Sequence, residues 1–114
     1  MIHYNKLIRD NVPELMQKKD KKIQYHAAGS EQEFWSVLMR KLQEEMNEFE
    51  KEPTMEQYID ILDVIDEIAR AKNFDLKELK ALREQKNIEQ GGFEKRWVLD
   101  ESPEEIGHRQ EQGI

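Results

Sequence analysis

The stretch KLQEEMNEFEKEPTMEQYIDILDVIDEI, residues 41–68, decides the fold. Upstream of Pro53, the residues Leu42, Met46 and Phe49 continue an apolar series begun by Phe34, Trp35, Leu38 and Met39, spaced along one face of a helix. Pro53 ends that helix, because its ring clashes with the preceding turn and it has no N–H to donate. Thr54, with Gln57 three residues on, reads as the capped start of the next helix. There Tyr58, Ile59, Ile61, Leu62, Val64, Ile65, Ile68 and Ala69 fill more than half the circumference, so that helix needs more than one neighbour. A link this short makes the two helices antiparallel partners.

The same signals extend outward. Ser30 and Glu33 form a capping box, and the long helix runs from there to Glu52. Asn11 and Glu14, with Pro13 early in the turn, predict a short helix from Val12 to Lys19. Ile23 to His26 reads as a short extended piece broken by Gly29. Asp75 and Glu78 start a further helix that ends near Gln90 at Gly91-Gly92. Phe93 to Leu99 reads as an ordered arm or short strand. The expected layout is one domain over residues 1–99 and a charged, flexible tail over 100–114, where almost nothing can be buried.

The fold class implied is all-α, with the helical hairpin as its core. At 114 residues, 37% hydrophobic and 38% charged, one chain buries only a modest core. Self-association is therefore expected to complete the bundle as a dimer or larger homo-oligomer. The net charge of −7 repels nucleic-acid backbone, so duplex DNA is not an expected partner. The absence of cysteine excludes disulfides, thiolate zinc sites and a cysteine nucleophile. No stretch approaches the roughly 18 apolar residues of a membrane span. The opening MIHYNKLIRD lacks the apolar run of a signal peptide. A cytoplasmic protein is the expectation.

Folding the hairpin back near Thr54 sets Glu48 at the height of Asp60, and Glu45 at the height of Asp63. Within each helix the pair is spaced i,i+3 and lies near one face. Four carboxylates approaching one another repel unless a cation neutralises them. Oxygen-only donors suit Mg²⁺, Mn²⁺ or Ca²⁺. Iron is disfavoured, because no histidine follows these acids at the Glu-x-x-His spacing of di-iron bundles. Ordinary solvated acids are the competing reading, favoured by Asp63 on the polar face and opposed by Glu45 inside the apolar arc. Glu44, opposite the apolar stripe, suits a surface role, and Lys41 is placed for an ion pair with Asp66.

Glu44-Glu45-x-x-Glu48, followed after a short link by a second acidic helix, resembles the all-α nucleoside triphosphate pyrophosphohydrolases of the MazG-like group. The opening YNKLIRDNVPE and the segment GGFEKRWVL at 91–99 are similar to a small single-domain branch of that group. The resemblance spans about residues 4 to 99. It implies a MazG-like bundle with Glu45, Glu48 and Asp60 as ligands of Mg²⁺ (or Mn²⁺) and Glu44 as a supporting acid. Where the group pattern ExxD has Glu, this chain has Gln57; Asp63, one turn beyond Asp60, is placed to compensate as a ligand or base. The reaction implied is cleavage of a nucleoside triphosphate to a monophosphate and pyrophosphate, a nucleotide-pool housecleaning chemistry. Lys6, Arg9, Lys95 and Arg96 are the cations expected to bind the phosphates. Two alternatives stand beside it: a non-catalytic helical interaction protein, and a phosphohydrolase acting on another nucleotide-like substrate.

Overall fold

A computed structural model describes residues 2–105. It contains four helices: α1 (Val12–Lys19), α2 (Glu31–Lys51), α3 (Met55–Ala71) and α4 (Leu76–Gln90). Among the described residues there is no strand. Neither Ile23–His26 nor Phe93–Leu99 forms one, since neither finds a ladder partner for its backbone groups.

Three of the four expected caps form. Ser30 Oγ accepts from the Glu33 N–H, Thr54 Oγ1 from the Gln57 N–H, and the Asp75 carboxylate from the N–H groups of Lys77 and Glu78. Asn11 is the exception. Its backbone is already helical, at φ −94° and ψ −3°, and its side chain makes no capping bond. The capping partner Glu33 also departs from the expected geometry. Its carboxylate accepts from the Gly29 N–H at 2.6 Å and pairs with His26 Nε2 at 2.7 Å, hooking the preceding loop onto the start of α2. The α3 helix stops at Lys72, and Asn73 follows in the left-handed region at φ 55°, a conformation asparagine tolerates at helix ends. Gly91 ends α4 at φ 80° and ψ −175°, a region open essentially to glycine alone.

Contacts divide the chain into two units, Met1–Asn73 and Phe74–Ile114. The division falls inside the 1–99 domain expected from sequence. Of the expected tail, residues 100–105 are exposed, and 106–114 lie outside the described residues.

In the first unit, α2 and α3 form the expected hairpin and are the one extensively packed helix pair among the described residues. Ring contacts clasp it at both ends. Phe49 and Tyr58 lie 6.3 Å apart near the link, and Lys72 Nζ sits 4.0 Å over the Trp35 ring at the open end. The seam between is thin. Leu38 is fully buried and Val64 nearly so, while Leu42 is half-buried. On α3, the residues Met55, Tyr58, Ile59, Leu62 and Ile65 remain exposed. The wide apolar arc read from sequence is real, and one neighbouring helix covers only part of it. The second unit carries α4, whose residues are all exposed.

Candidate functional site

Three acids of the hairpin, Glu44, Asp60 and Asp63, are engaged by a short N-terminal segment. Residues 2–9 are not helical. The segment is tied to both helices of the hairpin by polar contacts. Lys6 Nζ meets Glu44 Oε1 of α2 at 2.8 Å. Arg40 Nη1 of α2 donates to the carbonyl of Asn5 at 3.1 Å. Arg9 spans two acids of α3, with Nη2 at 2.7 Å from Asp60 Oδ1 and Nη1 at 2.8 Å from Asp63 Oδ2.

That last arrangement follows from helix geometry. The i,i+3 spacing puts Asp60 and Asp63 on neighbouring turns of one face. A planar guanidinium offers paired N–H groups that reach both. The two carboxylates hold the Arg9 guanidinium above its ordinary value, Asp63 foremost and Asp60 next. The Glu44 carboxylate likewise raises Lys6.

Glu45 is buried, as its place in the apolar arc implied. Its charge is compensated within α2 by Lys41 Nζ at 3.0 Å, one turn earlier. Lys41 also approaches Glu44 at 3.7 Å, so it serves α2 itself and not the expected Asp66 of α3. Glu44 is partly exposed and held by Lys6, an ion-pairing acid at the lip of the cluster. Glu48 is exposed and makes no ion pair among the described residues. The whole cluster is built within Met1–Asn73. Lys95 and Arg96 belong to the other unit, where both are exposed.

Among the described residues no three acidic or histidine side chains stand together as a ready metal cage. Mg²⁺ does not demand one, since it commonly takes one or two carboxylates and completes its shell with water and phosphate oxygens. Asp60 and Asp63 supply such a pair, converging on a position that a cationic group already fills. Gln57, one turn before Asp60, has a buried Oε1 without a hydrogen-bond partner among the described residues. A buried carbonyl oxygen left unpaired costs free energy, and it is a hard-cation donor in kind. The residues present therefore fit Mg²⁺ by donor type.

Two features escaped the sequence. The orphaned Gln57 oxygen depends on how tightly α3 meets α2, which spacing does not reveal. Arg40 carries no motif, and only the course of the N-terminal segment brings it to the site. It borders a recess of about 300 Å³ between that segment and α2, together with Tyr4, Lys6, Lys41 and Glu44.

Comparison with protein-family models, with curated proteins and with solved structures found no match to this chain.

Proposed function

We propose that the protein hydrolyses nucleoside triphosphates to a nucleoside monophosphate and pyrophosphate, with Mg²⁺ or Mn²⁺ as cofactor, and that the hairpin is that of a MazG-like bundle. The observation that carries this is the convergence of Asp60 and Asp63 on one cationic group supplied by a segment that also bears Lys6. Carboxylates and cations in one place are what metal–phosphate chemistry requires: the acids would take the metal, and the displaced cations the phosphates.

Asp60 and Asp63 would hold the metal, joined by Glu45 and Glu48 from α2. A divalent cation held by these residues would supply neutralisation of phosphate charge and activation of water. The chain's own residues do the rest. Arg9, released from Asp60 and Asp63, and Lys6, released from Glu44, turn to phosphate oxygens. Asp63, freed of Arg9, is either a fourth ligand or the base that accepts the proton of the attacking water. Attack at the α-phosphorus breaks its bond to the bridging oxygen, and no covalent enzyme intermediate forms. Glu44 supports the site by holding Lys6 in reserve.

The exposed apolar stripe of α3 supports a second copy of the chain as partner, in a dimer or larger assembly. Work in the cytoplasm is part of the proposal; among the described residues no helix is long and apolar enough to cross a membrane.

The ion pairing itself favours a second reading. Glu44, Glu45, Asp60 and Asp63 all have cationic partners already, as in a purely structural network of a helical interaction protein. Isothermal titration of Mg²⁺ with a non-hydrolysable triphosphate separates the two. An enzyme binds them together; a structural network binds neither. A panel of canonical and modified nucleotides then identifies the base and sugar, or exposes a different nucleotide-like substrate.

A further inference from the structure

The recess beside the N-terminal segment holds a charge imbalance that the carboxylate cluster does not account for. Two lysines at its wall are matched by two glutamates: Lys6 with Glu44 at 2.8 Å, and Lys41 with Glu45 at 3.0 Å. Arg40 has no such match. Among the described residues it meets no carboxylate, only the Asn5 carbonyl at 3.1 Å and, at 3.5 Å, the Ser36 hydroxyl. A guanidinium carries five N–H donors, and these two bonds leave most of them unused. The chain as a whole is acidic, at −7, so an arginine left without an acid at the edge of a cavity is against the general composition. The cavity, about 300 Å³, is large enough for a small ligand, and the exposed Tyr4 ring forms another part of its wall.

We infer that this recess is an anion subsite taking a phosphate group, with Arg40 as its principal donor. Resting on the hydrolysis proposed above, the phosphate is the distal end of the triphosphate, which leaves as pyrophosphate. The Asn5 carbonyl holds the guanidinium at the cavity edge, so the donor is already in position before the anion arrives. Lys6 borders both the recess and the carboxylate cluster, and it would contact the same phosphate chain once it parts from Glu44.

The test uses the full chain with pyrophosphate, in the presence of a chelator so that metal plays no part. Isothermal titration is expected to show binding that weakens at least about tenfold in Arg40→Gln, as loss of a charge-assisted contact does, and only partly in Arg40→Lys. On the unmutated protein, pyrophosphate is expected to protect Arg40 from phenylglyoxal, read by peptide mass mapping. That readout holds even if Arg40→Gln does not fold. Absence of binding, equal binding by the Gln variant, or an unprotected Arg40 overturns the subsite. Orthophosphate and a nucleoside monophosphate titrated alongside identify the source: pyrophosphate binding tightest supports the leaving end, and monophosphate binding tightest overturns that orientation. A triphosphate assay on the same sample keeps the two proposals apart. Pyrophosphate protection of Arg40 without hydrolysis leaves the subsite standing and removes the reaction; hydrolysis with Arg40 unprotected does the reverse.

Discussion

Arg9 Nη2 lies 2.7 Å from Asp60 Oδ1, so the N-terminal segment and helix α3 are joined at the very residue proposed above as a metal ligand. A guanidinium and a divalent cation compete for that carboxylate face through their mutual repulsion. Arg9→Gln is expected to raise Mg²⁺ affinity in the absence of nucleotide, because the competing cation is gone. The same change is expected to lower turnover, because a phosphate donor is gone too. Isothermal titration and product assay together check the opposite signs; a fall in both would make Arg9 a support for the acids and not their competitor.

Gln57 and Asp63 form a second testable pair. If the buried Gln57 oxygen marks an incomplete metal shell, Gln57→Glu raises Mg²⁺ affinity. If Asp63 compensates for Gln57, Asp63→Asn impairs turnover about as much as Asp60→Asn. An Asp63→Asn enzyme working at the unmutated rate would make Asp63 only an ion-pair partner of Arg9.

The thin core gives a stability prediction. Leu38 is the one fully buried large side chain among the described residues, and Leu38→Ala is expected to cost about 2–5 kcal/mol. Leu62, exposed on the other side of α3, should behave differently. Leu62→Lys is expected to leave helix content intact and to dissociate the assembly. Light scattering reads the change, and a strict monomer before mutation would show that the α3 stripe is not a self-association surface.

The hook at the start of α2 gives a pH dependence. The His26 ring first, and the Gly29 N–H second, hold the Glu33 carboxyl below its ordinary range. A depressed folded-state pKa contributes stability above the unfolded value, about 4.3, and that contribution is lost as pH falls through the folded value. Thermal melts from about pH 5 to pH 3 should therefore fall more steeply for the unmutated protein than for Glu33→Gln. Parallel slopes would mean that the hook adds no pH-linked stability.

The sequence made the hairpin legible because its signals were local. Pro53, the Thr54 cap and the two apolar series act within a few residues of themselves, and α2 and α3 formed where they indicated. Asn11 misled because a capping box specifies residue types, whereas the bond needs an extended backbone that Asn11 lacks. The burial of Glu45 was readable from its position in the apolar arc. Its partner Lys41 was misassigned to Asp66, because sequence spacing across a hairpin fixes height but not which face each side chain takes. The clamp of Arg9 on Asp60 and Asp63 was not legible at all. It depends on a non-helical segment whose path is set by long-range contacts, and residue spacing says nothing of these.

The proposed hydrolysis at the α-phosphorus takes place on the carboxylate face that Arg9 covers in the resting protein. The most direct measurement incubates the protein with Mg²⁺ and a nucleotide panel in ¹⁸O-labelled water and analyses the products by mass spectrometry. The expected products are a nucleoside monophosphate carrying the label and unlabelled pyrophosphate, with both lost in Asp60→Asn. Label in orthophosphate beside a nucleoside diphosphate, or no turnover of any nucleotide, would contradict it.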